Sequence, residues 1–170
     1  MKYAIIEGGK VVNIAVADSA LADNWIEAGA AKIGDSWDGE TFIRPTPPPP
    51  TAADVAAEWQ RRVDIGSVFS VTGVTDPIPV PGRQPYREIV QAKLSAAQLF
   101  ASQGITDPLM RFRDGANFEH MLTPAQMIDL CIQSMRFYEA LSVVYHDMKD
   151  GKGDFTGGIP ADFAADGYWI

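Results

Sequence analysis

Near the start of the chain the apolar positions fall in short, strand-like runs. Residues 3–6 and 11–16, joined through Gly8-Gly9-Lys10, predict a β-hairpin. Asp35-Ser36-Trp37, the turn Asp38-Gly39 and Glu40-Thr41-Phe42-Ile43 predict a second one, with Trp37 and Phe42 packed across it. Between the two, residues 19–23 predict one helical turn before Asn24-Trp25-Ile26-Glu27. The expected outcome over residues 1–43 is an antiparallel patch of three or four strands.

The pattern then stops at Arg44-Pro45-Thr46-Pro47-Pro48-Pro49-Pro50. Consecutive prolines have no N–H to donate and a fixed φ, so residues 44–50 predict a stiff polyproline II spacer. At about 3.1 Å per residue such a spacer holds two modules roughly 20 Å apart. A front module of some forty residues without disulfide or metal lies at the lower limit of independent stability, so it is expected to lean on a partner surface.

From Thr51 onward the period is helical. Val55, Trp59 and Val63 are spaced by four, Asp54 suits the first turn, and Gly66 closes the helix. Residues 67–74 look strand-like, whereas Pro77-Ile78-Pro79-Val80-Pro81-Gly82 predicts an edge or an extended loop. A second helix is expected from Pro85 to about Gln103, before Gly104. Residues 109–112 and 117–121 flank Asp114-Gly115 as a further hairpin.

Thr123-Pro124-Ala125-Gln126 then opens a third helix with a capping box and a proline at its first position. Behind it Met127, Leu130, Ser134, Phe137, Leu141, Val144 and Met148 form a seam at spacings of three and four. Ile128, Ile132 and Met135 widen that face, which favours packing within the chain and leaves an inter-subunit bundle as the alternative. Residues 151–170 are rich in glycine and acid and end in Tyr168-Trp169-Ile170, an aromatic finish that must fold back or insert into a neighbour. The predicted class is α+β: a β-rich module at 1–43, a spacer at 44–50, and three helices with a hairpin at 51–170.

Composition narrows the function. The chain has 170 residues, 46% hydrophobic and 21% charged, the balance of a folded protein. A net charge of −8 with no basic stripe argues against a nucleic-acid partner. Glu7 interrupts the first apolar run, and no stretch approaches eighteen apolar residues, so neither an export signal nor a membrane span is expected.

Candidate chemistry is sparse. The lone Cys131, between Leu130 and Ile132, reads as a small buried hydrophobe. His120 reads as a surface residue of the hairpin, and His146 as a favourable group at the C-terminal end of the third helix. No nucleophile elbow, phosphate loop or dinucleotide fingerprint occurs. The stretch Asp147 to Asp154 fails as a calcium loop, because Lys149 and Lys152 occupy positions such a loop needs for a ligand and a glycine. No catalytic residue, metal ligand or cofactor is expected. Trp25, Trp37, Phe42, Trp59, Tyr168 and Trp169 are instead candidate partner-binding residues, since large aromatics dominate interface energetics.

Three segments together resemble known proteins. The opening Met1-Lys2-Tyr3-Ala4-Ile5-Ile6-Glu7-Gly8-Gly9-Lys10-Val11-Val12-Asn13, with Gly34-Asp35-Ser36-Trp37-Asp38-Gly39-Glu40-Thr41-Phe42 and the proline run, resembles N-terminal modules of tailed-bacteriophage tail and tail-fibre-assembly proteins. The remainder resembles a phage domain of unknown function that follows such modules. The likeness rests on Glu58-Trp59-Gln60-Arg61-Arg62, Arg111-Phe112-Arg113-Asp114-Gly115-Ala116-Asn117-Phe118, Thr123-Pro124-Ala125-Gln126 and Ile159-Pro160-Ala161-Asp162-Phe163-Ala164-Ala165-Asp166-Gly167-Tyr168-Trp169. That family often finishes in Trp-Pro where this chain has Trp169-Ile170, and its prolines are sparser than those between Pro77 and Pro85.

The resemblance implies a phage-tail context and transfers no catalytic residue. It favours a tail adaptor bound to fibre or baseplate proteins, located in the virion tail and, during assembly, in the host cytoplasm, with a homo-oligomer as a possible form. The second reading is a fibre-assembly chaperone that leaves before the particle is complete. The third is a small glycan hydrolase, which requires two acidic residues converging in a cleft at about 5–9 Å.

Overall fold

Glycine pairs and free strand edges decide how the first residues fold. A computed structural model describes residues 1–169. β1 (Lys2–Glu7) and β2 (Lys10–Val16) pair antiparallel around Gly8 and Gly9, both at positive φ, with a register shift between Ile5 and Ile6. The free edge of β1 takes β3 (Trp25–Glu27), held where the Ile6 amide donates to the Asn24 carbonyl at 2.9 Å and Asn24 Nδ2 donates to the Ile6 carbonyl at 3.0 Å. The free edge of β2 takes β4 (Ser36–Trp37), which pairs in turn with β5 (Phe42–Ile43).

The result is a five-stranded sheet in the order β3-β1-β2-β4-β5, one strand more than the apolar runs predict. The predicted helical turn at 19–23 does not form. Bends and turns occupy that stretch, because the chain must deliver Trp25 to the edge of β1 within a few residues. The core is small: Ala4, Val11 and Ala28, with Ile6, Ile14, Ala31 and Phe42 packed on it.

The chain divides into two compact units, Met1–Pro48 and Pro49–Ile170, and the boundary falls inside the proline run. No regular secondary structure occurs from 44 to 50.

In the second unit Thr51 caps α1 (Ala52–Ile65) through a reciprocal box with Asp54. Gly66 ends the helix at φ 73°, where a Cβ would collide with the Val80 carbonyl. β6 (Ser67–Phe69) and β7 (Ile78–Val80) form a two-stranded sheet, so the strand at 67–74 is shorter than expected and, of the two forms open to the proline-rich stretch, Ile78–Val80 takes the edge strand. Pro79 is tolerated because its nitrogen, on the same side as the carbonyl that accepts the Gly115 amide at 2.8 Å, faces away from β6, so no ladder donor is lost.

α2 (Gln84–Ser102) has its proline in the first turn, and β8 (Met110–Arg113) pairs with β9 (Glu119–Leu122). α3 (Pro124–Asp150) has 27 residues and is therefore about 40 Å long. Thr123 and Gln126 close its capping box as expected.

α3 is the spine of this unit. Its first half puts Met127, Leu130 and Cys131 into a core with Val71, Ile78, Val90, Ala97 and Phe112. Its second half puts Leu141 and Met148 into a separate core with Val55, Val63, Phe155 and Trp169. Phe137 packs against both. The seam is thus buried within its own chain, and Ser134, fully buried, bonds back to the Leu130 carbonyl at 2.9 Å. Ile128 joins the first core, but Ile132 and Met135 are 37% and 46% exposed rather than part of a widened face. At about 100° per residue they lie opposite Leu130, Leu141 and Met148, whose side is already filled.

Candidate functional site

The six aromatics fall into three settings. In the first unit Trp25 and Trp37 are half-buried, and Phe42 packs on the sheet core. Trp37 and Phe42 lie 4.5 Å apart across the β4–β5 hairpin, and Trp25 lies 6.1 Å from Tyr3. In the second unit Trp59 is half-buried against Tyr145, with ring centroids 5.2 Å apart, and its Nε1 is buried without a partner among the described residues. Tyr168 is half-buried and donates to Asp162 at 2.9 Å.

Trp169 is 6% exposed and belongs to the unit's own core, which leaves it little surface for a partner. Of the two outcomes open to the aromatic finish it folds back; Ile170 lies outside the described residues. Trp169 Nε1 donates to the Phe163 carbonyl at 2.7 Å. Above its ring, Arg62 donates to Glu58 at 2.6 Å, to the Ala164 carbonyl at 2.9 Å and to Asp166 at 2.8 Å. Arg61, and with it Arg62, hold the Glu58 carboxyl below the usual carboxylate range despite its desolvation. Charge-assisted bonds from one guanidinium thus fasten α1 to the returning tail.

A further cluster, apart from these aromatics, lies in the β8–β9 hairpin. Alternation along β9 puts His120 on the same inward face as Leu122, so it is 8% exposed and not the surface residue its hairpin position suggests. Its Nε2 lies 2.9 Å from Asp114 Oδ2, and Asp114 is itself 3% exposed. The other carboxylate oxygen accepts the amides of Ala116 at 2.9 Å and Phe118 at 2.8 Å. Burial alone would raise the Asp114 carboxyl, but the His120 bond and the two amides outweigh it and hold it below the usual range. An ionised Asp114 needs a proton on Nε2, which leaves Nδ1 of His120 with no protein partner among the described residues. Tyr86 completes the cluster by donating to the Asp114 carbonyl at 3.0 Å.

Beside this pair runs a cleft of about 450 Å³. One wall is the edge of β9 from Phe118 to Leu122, the other is the loop 73–76, and Thr123 and Gln126 lie at its end. Gln126 Nε2 ties the loop wall to α3 through the Thr72 carbonyl at 3.3 Å, and Gln133 Nε2 reaches the Ser70 carbonyl at 2.9 Å. The cleft is bordered by acid: Asp76 makes no ion pair among the described residues, and Glu119 faces Arg111 and Arg113 at 3.4 and 3.5 Å.

Elsewhere, Cys131 is fully buried with its thiol pushed up to about 11 by desolvation. His146 is exposed near the end of α3, and Lys152 pairs with Asp150 at 3.2 Å beyond it. No group of three or more potential metal ligands occurs among the described residues. The Asp114–His120 pair left one readable trace, an acid and a histidine six apart across a predicted turn. Comparison of the chain with protein families, with curated proteins and with solved structures found no match.

Proposed function

We propose that this chain is a non-enzymatic adaptor of a bacteriophage tail, binding fibre or baseplate proteins and acting through contact. It would be present in the host cytoplasm during assembly and in the virion tail afterwards. One observation carries this reading: the chain divides inside its proline run, and the front unit is undersized. Nothing larger than valine is fully buried there, while Val16, Leu21 and Ile33 are 78%, 72% and 64% exposed. A unit with so little core gains stability from a covering surface. The likeness of its opening and of the later segments to phage tail proteins supplies the context.

Co-expression of the full chain with each fibre and baseplate protein of the same phage tests it, with light scattering on the eluted species. A stoichiometric complex with one of them is expected. Failure to form any such complex, with the chain well folded, contradicts the adaptor role.

A further inference from the structure

The hydrogen-bond parity of the β8–β9 hairpin leaves a row of main-chain groups on the outer edge of β9, whose residues line the cleft. The Asp114 amide donates to the Phe118 carbonyl at 2.9 Å, which sets the phase of the ladder. The pairs Phe112–His120 and Met110–Leu122 then exchange bonds across the hairpin, and the N–H and C=O of Glu119 and Met121 point outward. The hairpin has only two strands, so that outer edge of β9 has no strand beside it, and no other backbone or side-chain group pairs with these positions among the described residues.

An open edge invites another strand. Here it borders a cleft whose opposite wall, the loop 73–76, is already fastened to α3 through Gln126. Preformed walls lower the ordering cost of a ligand. Charge narrows the occupant further: the unpaired Asp76 borders the cleft, while Glu119 is already faced by two arginines.

We propose that this cleft receives an extended peptide segment of a partner protein as an added β-strand, bonded to the main chain of Glu119 and Met121, with a basic side chain toward Asp76. Main-chain bonds would supply affinity and the flanking side chains register. The inference holds whether or not the partner belongs to a phage tail.

The test uses the full chain, ¹⁵N-labelled, and a capped five-residue peptide alternating valine and threonine about a central lysine. Saturable shifts and slowed amide exchange at Glu119 and Met121 are expected. The same peptide N-methylated on its bonding amides should bind at least about tenfold more weakly. Met121→Pro removes one outward donor at an edge position where proline is tolerated, and should weaken binding by a similar factor, while Met121→Ala should not. If the proline variant fails to fold, the N-methylated peptide still decides. No shifts, shifts elsewhere, equal binding of the N-methylated form, or protection of the same amides by self-association without peptide would each overturn the proposal. Equal binding of a glutamate-centred peptide would overturn its charge preference.

Discussion

The guanidinium of Arg62 lies 5.1 Å from the centre of the Trp169 ring, 107 positions later in the chain. This contact closes the second core, because the same arginine holds Glu58 on its own helix and Asp166 in the tail. Trp169→Ala should therefore cost about 3–5 kcal/mol in urea unfolding of the second unit. Arg62→Ala should cost less, about 1–3 kcal/mol, and the two changes should not add, because each removes part of one packed contact. Additive losses would mean that the ring and the cation are not coupled.

Asp114 predicts an acid dependence. Its carboxyl is held below the usual range in the folded state, so its contribution is complete above the unfolded value of about 3.9 and disappears as pH falls through the folded value. Stability should accordingly drop below about pH 4. Asp114→Asn should flatten that drop and cost about 1–2 kcal/mol at neutral pH, because the amide oxygen can still accept from Ala116 and Phe118. Chemical denaturation of both proteins between pH 3 and pH 7 separates the two effects.

Gly66 must remain glycine. Its φ of 73° and the Val80 carbonyl beside it leave no room for a methyl group. Gly66→Ala should lose about 2–4 kcal/mol through combined strain and collision. Gly104, also at positive φ but in open space, is the control, and its alanine variant should lose only about 1 kcal/mol. Equal losses at the two sites would remove the collision as the cause.

Cys131 should be silent toward thiol reagents while the protein is folded. Its thiol is fully buried and pushed up to about 11, so almost no thiolate exists at pH 8. Labelling should begin only when denaturant opens the second unit, and its rate should follow that opening. Rapid labelling of the native chain would contradict the packing around Val90.

Sequence periodicity made the helices legible because their signals are local: Asp54 in the first turn of α1, Gly66, Pro85, and the capping box and seam of α3 lie within a few residues of what they control. The α+β class followed from them. The sheet order is less legible: the pattern marks the β4–β5 hairpin but not the edge of β2 that takes it, and β3 is a three-residue strand recruited by the open edge of β1. His120 was misplaced for a related reason. A one-residue phase in a strand decides inside from outside, and only the pairing of Phe112 with His120 sets it. The cleft is not legible in the sequence, because its walls lie more than forty positions apart and the open hydrogen-bonding groups at its border belong to the main chain.

The proline run offers a direct handle on the adaptor role. Replacing Pro47 to Pro50 by a Gly/Ser segment removes no core residue of either unit. Both units should keep their amide spectra, while affinity for a partner that grips the two together should fall, since a flexible tether lowers their effective concentration at a fixed span. Unchanged affinity would show that the stiffness of the run does not contribute to binding.

Quantitative mass spectrometry of purified virions tests the central claim most directly, because an adaptor stays where it is built in. At least one copy of this chain per tail is the predicted result. Its absence from particles whose fibres and baseplates are complete would contradict the adaptor role and leave the departing chaperone in its place.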